Sequence, residues 1–218
     1  TLSSIDSKIA SQAGEAGLKK IGHYKVLDAL PEHQIKAVSV TPKKTLAGWK
    51  MGKEYHKSLD FESQQALVSY TGGGYSDMNY SLRKGKPSKK ALLAANALMK
   101  APLLTPGMQL VRKHGLQTQL DKDMLANLTP GSIVSEKGIL STSTKQNVWG
   151  GEIRLNITVG KGVRGLPAKS FSQSPSESEV ILPPGTKFMI QKVSKPVSWG
   201  VTVDVLALPT SDDQCCPP

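Results

Sequence analysis

The chain has 218 residues, of which 38% are hydrophobic, 28 are Lys or Arg and 17 are Asp or Glu, giving a formal net charge of +11. This composition is typical of a globular protein with a sizeable core, and it excludes a chain that is disordered throughout. No apolar run is long enough to cross a bilayer, and the N-terminal residues lack the apolar core of a signal peptide.

The first part of the chain, to about residue 128, is predicted to be mostly helical, because apolar residues recur there at three- and four-residue spacing. The segments concerned are SSIDSKIASQAGEAGLKKIG, SLDFESQQALVSYTGGGYSDMNYSLRKG and SKKALLAANALMKAP. In the second segment, residues 71–74 (TGGG) should break the helix in two and leave Tyr75 and Asn79 on one face of the later helix. Ser88 is predicted to cap the third helix.

From about Gln109 onward the pattern changes to strands. In GEIRLNITVG, residues 151–160, apolar and polar side chains alternate, which is the period of a half-buried strand. SEVILPPGTKFMIQKV is predicted to form two strands joined at Pro183-Pro184-Gly185, and WGVTVDVLAL supplies another. Helices followed by strands predict an α+β fold and not a repeating βαβ sheet.

Several common kinds of site are absent from the sequence. There is no GxxxxGK[ST], no HExxH and no CxxC, and the four histidines are scattered, so no metal site is expected. Cys215 and Cys216 are adjacent in the tail at residues 211–218. We expect this tail to be flexible, with no disulfide bond that links it to the fold. The positive charge favours an anionic partner: nucleic acid, a membrane surface, an acidic protein or a phosphorylated cofactor.

Two glutamates, Glu177 and Glu179, stand where a Ser/Pro-rich loop runs into a predicted strand. Alternate residues of a strand point to the same face, so we expect the two carboxylates to lie close together. Such a pair suits a reaction with a positively charged transition state and a proton to remove. One carboxylate would stabilise the cation, and the other would act as the base.

The order of three short motifs gives this pair a more specific meaning. Arg112 in LVRKHG is followed by LSTST at residues 140–144 and then by Glu177-x-Glu179. This order resembles the Arg, Ser-Thr-Ser, Glu-x-Glu signature of the arginine-directed mono-ADP-ribosyltransferases, the group that includes the binary actin-modifying toxins and several bacterial effectors. ALVSYTGGGYSDMNYSLRKG and SESEVILPPGTKFMI resemble that family's helix pair and glutamate strand, so the resemblance spans about residues 60–193.

The resemblance implies an ADP-ribosyltransferase fold, in which a helical N-terminal part is followed by two antiparallel-type sheets that form an NAD cleft. On this basis we divide the chain into a helical extension (residues 1–58), a catalytic core (59–210) and a flexible tail (211–218). The implied reaction transfers ADP-ribose from NAD to an arginine of a target protein, actin or another host protein, and releases nicotinamide.

The resemblance also assigns roles to single residues. Glu179 matches the glutamate that binds the nicotinamide ribose and offsets the positive charge of an oxocarbenium-like transition state, a demand that glycoside hydrolases also meet with carboxylates. Glu177 matches the glutamate that orients the acceptor and takes its proton. Ser141 matches the serine that holds the catalytic glutamate, and Arg112 matches the arginine that binds the NAD phosphates.

Further residues are predicted to contact the cofactor or the target. Phe171 and Ser174 are assigned to target recognition, because arginine-directed members often carry an aromatic residue at the position of Ser174 and Phe171 is the nearest ring. The family arginine is usually followed closely by glycine, whereas Lys113 and His114 intervene here. The cofactor-binding candidates besides Arg112 and Ser141 are Thr142 and Ser143, which match residues that fix the strand beneath the nicotinamide, and the aromatic residues Trp149 and Tyr75.

Alternative functions stay open at this point. The same fold could modify nucleic acid or a residue other than arginine, and a basic nucleic-acid-binding module without catalysis is a further alternative, although aromatic residues make up only 5% of the chain. We expect a protein that is secreted or injected and acts in the cytosol of a target cell, or a phage-encoded enzyme of the bacterial cytoplasm. A delivery or immunity partner is compatible with either setting.

Overall fold

The computed structural model describes residues 22–27, 29–30, 32–114, 119–194 and 200–209. The predicted helix within residues 3–21 and the tail with its two cysteines lie outside these residues. The helices are α1 (Glu32–Val38), α2 (Trp49–Ser58), α3 (Phe61–Ser69), α4 (Tyr75–Arg83), α5 (Lys89–Met99) and α6 (Gln119–Ala126). The strands are β1 (Tyr24–Leu27), β2 (Gln109–His114), β3 (Ile133–Glu136), β4 (Leu140–Ser143), β5 (Ile153–Val159), β6 (Leu166–Pro167), β7 (Glu179–Leu182), β8 (Lys187–Val193) and β9 (Val201–Ala207). The predicted α+β class is confirmed.

These strands form one sheet, in the order β1-β3-β8-β9-β5-β2-β4-β7-β6. Strand β2 pairs with β5 along its whole length, but it pairs with β4 through Val111 and Ser143 alone. The sheet therefore has a larger part, made of β1, β3, β8, β9, β5 and β2, and a smaller part, made of β4, β7 and β6. A narrow junction between β2 and β4 joins the two parts. Two separate sheets were predicted, and the structure corrects this to one sheet in two parts.

Two hydrophobic clusters pack on the two parts of the sheet. In β5, Ile153, Leu155 and Ile157 are fully buried in the first cluster, while the residues between them are half-buried, which confirms the predicted alternation. In the second cluster, residues of α3 and α5 such as Leu67 and Leu98 pack against strands β6 and β7. Helices α3 and α5 therefore cover the smaller part of the sheet.

The segment from α3 to α4 contains the predicted break. Residues 70–74 form a single π-helical turn, within which Gly72 has the non-helical angles φ −115° and ψ −132°. Tyr75 and Asn79 lie on α4 as predicted, but Asn79 is buried and Tyr75 is 51% exposed, because Tyr75 is the first residue of the helix. The side chain of Ser88 accepts a hydrogen bond from the backbone N–H of Ala91, which confirms the predicted cap of α5.

A strand, β1, lies within the part of the chain that was predicted as a helical extension. It pairs with β3 from Tyr24 opposite Glu136 to Leu27 opposite Ile133, so these residues belong to the sheet. The buried hydroxyl of Tyr24 lies 2.6 Å from Nε2 of His114, at the end of β2. The expectation of helix alone is therefore wrong for residues 24–27, and β1 is joined to the strand that carries Arg112.

We predict that Tyr24→Phe destabilises the protein, because it keeps the ring but leaves the buried Nε2 of His114 without its partner. The free energy of unfolding, measured by urea denaturation, should fall by about 1–3 kcal/mol, the usual cost of an unpaired buried polar group. The control is Tyr75→Phe, at a ring that is 51% exposed, with an expected change below about 0.5 kcal/mol. Equal losses in the two variants would show that the Tyr24 hydroxyl contributes nothing specific.

Candidate active site

The carboxylate of Glu179 lies at the start of β7 and is almost fully buried, with 4% of the residue exposed. The hydroxyl of Ser172 donates to Oε2 over 3.4 Å, and the hydroxyl of Ser141 lies near enough to favour the charged form. Burial raises the pKa of Glu179 above its ordinary value; the hydroxyl of Ser141 opposes this rise, the neighbouring Glu177 carboxylate adds to it, and Arg112 and Ser172 oppose it. The site therefore holds a desolvated carboxylate whose charged form is supported by specific neighbours.

Glu177 does not lie on the strand, which corrects the prediction that the two glutamates alternate along it. It ends a 3-10 turn, Pro175–Glu177, and Ser178 then adopts the left-handed angles φ 51° and ψ 49°. Proline at the start of the turn favours helical angles there, and the strand pairing begins only at Glu179, opposite Ser143. Glu177 is half-buried and still close enough for its charge to raise the pKa of Glu179.

Ser141 lies on β4, next to the strand that carries Glu179, and is in contact with a buried tyrosine. Its hydroxyl oxygen is 3.1 Å from the phenol oxygen of Tyr70, and the Tyr70 hydroxyl in turn donates to the carbonyl of Ile139 over 3.0 Å. Burial raises the pKa of Tyr70 to about 12, so the phenol stays neutral. Since Ser141 has one hydroxyl proton, Tyr70 and Glu179 compete for it.

Helix α4 fixes the turn that leads into β4. The carboxamide of Asn79 bonds both backbone groups of Ile139, accepting from its N–H over 2.8 Å and donating to its carbonyl over 3.0 Å. One turn further along α4, Arg83 forms a buried salt bridge of 3.2 Å with Glu136, whose carboxylate also accepts from the backbone N–H of Gly138. Burial raises the pKa of Glu136 to about 7, and Arg83 opposes the rise.

The hydroxyl groups of Thr142 and Ser143 hold β7 and the loop before it. Thr142 donates to the carbonyl of Val180 and Ser143 to the carbonyl of Glu177, each over 2.6 Å. Thr142 is fully buried in this arrangement and supports the strand pair, and its place in a cofactor site stays a prediction. Ser143 likewise has its hydroxyl engaged by the backbone that carries Glu177.

Arg112 lies on β2 beside the junction between the two parts of the sheet. The carbon of its guanidinium lies 5.0 Å from the centre of the Trp149 ring. Its buried Nε has no hydrogen-bond partner among the residues that the structure describes. A planar cation that rests on an aromatic ring and keeps an unpaired buried donor fits an anionic ligand such as a phosphate.

The remaining predicted residues lie around the loop before β7. The ring of Phe171 stacks on His56 of α2, with ring centres 4.0 Å apart, so Phe171 attaches the loop to that helix. Ser174 precedes the 3-10 turn, and its carbonyl accepts from the N–H of Glu177 over 3.0 Å. The structure thus brings Arg112 and Trp149 together, and it gathers the predicted catalytic residues Ser141, Glu177 and Glu179.

Sequence reasoning missed three residues that support the site. Tyr70 and Asn79 hold the turn before β4, and Ser172 bonds Glu179. The motif YTGGGY contains both tyrosines, but sequence reasoning chose Tyr75 as the candidate for contact with the cofactor. Tyr75 is exposed, whereas Tyr70, which contacts Ser141, is 2% exposed. The helical spacing between Tyr75 and Asn79 gave no sign that the amide of Asn79 binds backbone.

Comparison with known proteins identifies the class. Residues 47–207 match the family model described as ADP-ribosyltransferase exoenzyme, so the chain belongs to that family. The fold also matches that of Plx2a, an ADP-ribosyltransferase toxin from Paenibacillus larvae, with a TM-score of 0.60 and 21% identity, over 74% of this chain and 92% of that one. The predicted family and fold are confirmed.

Two curated relatives are similar in sequence. The chain is 33% identical over 156 residues to the putative NAD(+)–arginine ADP-ribosyltransferase Mav of Mycobacterium avium, covering 67% of this chain and 18% of that protein. It is 29% identical over 170 residues to the Photox toxin of Photorhabdus laumondii subsp. laumondii, covering 65% of this chain and 41% of that protein. The matched segment is therefore less than half the length of either relative.

The described part of the chain shows neither a cluster of metal ligands nor a membrane-spanning helix. No group of His, Cys, Asp and Glu side chains there could hold a metal ion. Nor does any helix among the described residues have the length and apolar character needed to span a membrane.

We predict that Ser141→Ala raises the pKa of Glu179 further, because it removes a hydroxyl that favours the charged carboxylate. Carbon-detected NMR titration of the side-chain carboxyl group measures this pKa directly. Ser172→Ala should raise it by less, because the hydroxyl of Ser172 lowers this pKa less than that of Ser141 does, and Ser135→Ala, at a hydroxyl bonded to the carbonyl of Gly185, should leave it unchanged. An unchanged or lower pKa in Ser141→Ala would contradict this description of the site.

Proposed function

We propose that the chain is an NAD-dependent mono-ADP-ribosyltransferase that transfers ADP-ribose from NAD to an arginine of a target protein and releases nicotinamide. The observation that carries this proposal is the buried carboxylate of Glu179, which accepts a hydrogen bond from Ser172 and whose charged form Ser141 and Arg112 favour, in a chain of the ADP-ribosyltransferase exoenzyme family. The name of the Mycobacterium avium relative supports arginine as the acceptor.

The residues present fit NAD as the substrate. The unpaired buried Nε of Arg112 and its planar guanidinium suit the two phosphates, and Trp149 offers a ring beside them. When NAD is bound, it supplies a bond between ribose and nicotinamide whose cleavage builds positive charge on the ribose. The ionised carboxylate of Glu179 stabilises such charge more strongly in its desolvated position than it would in water.

Glu177 is suited to the second half of the reaction. A free arginine has a pKa above 12 and attacks poorly while protonated, so the acceptor needs a base. Glu177 ends the loop before β7, and its backbone carbonyl is held by Ser143 while its side chain is half-buried. A base that borders solvent in this way is accessible to a side chain brought in by another protein.

The setting of the reaction follows from the same family. We propose that residues 59–210 carry the catalysis, that the protein is secreted or injected, and that it acts on a protein in the cytosol of a target cell; actin is one candidate. The similarity to the Photox toxin supports a role against another cell. Incubation of the chain with labelled NAD and with mammalian and bacterial lysates, followed by mass spectrometry of labelled proteins, tests both the activity and the target.

Glu179→Gln is predicted to abolish most of the activity towards every acceptor. The substitution keeps the shape of the side chain but removes its charge, so both transfer to protein and NAD hydrolysis by water should fall by roughly 10²-fold or more. Release of nicotinamide and labelling of an acceptor protein measure the two rates. Full hydrolysis in Glu179→Gln would remove this residue from the principal catalytic role.

Glu177→Gln is predicted to separate the two activities. The change leaves Glu179 charged but removes the base that serves the acceptor, so transfer should collapse while hydrolysis, whose nucleophile is water, survives in good part. The same two assays measure the split. Transfer at the wild-type rate in Glu177→Gln would show that the base is another group.

Arg112→Lys is predicted to weaken NAD binding more than it slows the reaction of bound NAD. Lysine keeps the positive charge but loses the planar fork of donors and the stacking of the guanidinium on Trp149. The KM for NAD should rise with a smaller change in kcat for hydrolysis. The control is Arg154→Lys, at a residue whose guanidinium bonds Asn156 on β5; the same rise in KM in both variants would remove Arg112 from the NAD site.

A further inference from the structure

The loop before β7, residues 169–178, is held at its base by hydrogen bonds from the side of β4. The hydroxyl of Ser143 donates to the carbonyl of Glu177 over 2.6 Å, and Nζ of Lys145 donates to the carbonyl of Ser176 over 2.7 Å. Both bonds are to backbone atoms close to Glu177. We call residues 169–178 the acceptor loop, because they carry the residue that we propose as the base.

The tip of the acceptor loop is held by a different element, the π-helical turn of residues 70–74. The carboxamide nitrogen of Gln173 donates to the carbonyl of Val68 over 3.2 Å, and the backbone N–H of Gln173 donates to the hydroxyl of Thr71 over 3.2 Å. The Thr71 hydroxyl donates in turn to the same carbonyl of Val68 over 2.9 Å. Gln173 is thus hydrogen-bonded to the C-terminal end of α3, where the helical hydrogen bonding changes.

The glycine at position 72 provides the space for this contact. A Cβ atom at Gly72 would lie 2.4 Å from the side-chain oxygen of Gln173, which is too close for both to remain in place. A Cβ atom at Gly73, the next residue, would meet nothing within 4 Å. Neither glycine has a positive φ, although the ψ of −132° at Gly72 lies outside the usual α and β ranges.

The turn that receives Gln173 also carries Tyr70, which contacts Ser141. The acceptor loop is thereby attached to the same short element that contacts Ser141 on β4, the strand paired with the one that carries Glu179. Two of the groups that face the proposed substrates, Glu177 and Glu179, are therefore held relative to one another through residues 70–74 as well as through the sheet.

We propose that Gln173 is a positioning residue that fastens the acceptor loop to the π-helical turn and so sets the place of Glu177 relative to Glu179. This inference rests on the proposed transferase function. Gln173 acts through Glu177 and not on NAD, so its loss affects the incoming side chain more than it affects cleavage of NAD by water. The contact determines how far the enzyme favours a protein acceptor over hydrolysis.

The sharpest test compares the two neighbouring glycines. Gly72→Ala should displace Gln173 and lower the ratio of transfer to hydrolysis by roughly tenfold, because small misplacements of a catalytic group are costly. Gly73→Ala is the matched control and should keep the wild-type ratio. Transfer is measured with poly-L-arginine as the acceptor, and hydrolysis is measured as nicotinamide release without it. The same ratio in both glycine variants would overturn the proposal.

A double substitution separates the fastening from a general effect of Gly72 on the turn. Gln173→Ala alone should lower the ratio to a similar extent, chiefly through a higher KM for poly-L-arginine with the KM for NAD little changed. The two changes together should lower the ratio by less than the product of the two single losses, since the side chain that the new methyl group displaces is already gone. Additive losses would show that Gly72 acts by another route, and the proposal would fail.

Hydrogen exchange without NAD gives a readout that does not depend on activity. In Gly72→Ala and Gln173→Ala, the amides of residues 171–178 should exchange faster than in the wild type, while those of β5 and β9 stay protected. Unchanged exchange in the loop would overturn the proposal even if the enzyme is a transferase. Faster exchange in a protein that never consumes NAD would instead leave the fastening in place and refute the proposed function.

Discussion

The hydrogen bonds between Asn79 and the backbone of Ile139 are the constraint on which the rest of the site depends. They join α4 to the turn before β4 at a buried position, where neither backbone group could otherwise reach water. Gly138 must be glycine-sized here, because a Cβ atom would lie 2.7 Å from the Asn79 oxygen. This contact sets where β4 begins, hence where Ser141 lies, and β4 sets the position of β7 and Glu179 through their pairing.

The chemistry of the site follows from how that strand pair meets the rest of the sheet. The two parts of the sheet are joined at Val111 and Ser143 alone, so the strand that carries Arg112 meets the strand that carries Ser141 at one narrow junction. Burial makes the Glu179 carboxylate costly to ionise, and Arg112 and Ser141 offset part of this cost. Such a carboxylate interacts strongly with positive charge that develops nearby, because little water screens it.

The features that could be predicted from the sequence are those that short-range patterns or the order of motifs indicate. The alternation in β5 and the break at residues 71–74 are local features, and the order of Arg112, Ser141 and Glu179 identified the family. Strand β1 escaped prediction because its four residues, YKVL, are too few to show a period, and its partner β3 lies more than a hundred residues away. The left-handed Ser178 also escaped it, since nothing in Glu-Ser-Glu distinguishes a turn from the start of a strand.

The most direct test of this account is a crystal structure of the protein with a non-hydrolysable NAD analogue. The account predicts that the guanidinium of Arg112 contacts the phosphates and that the carboxylate of Glu179 accepts hydrogen bonds from the nicotinamide ribose and from Ser141. It also predicts that Asn79 keeps both bonds to Ile139 in the complex. An analogue bound away from the junction of the two sheet parts, or bound there without contact to Arg112 or Glu179, would contradict it.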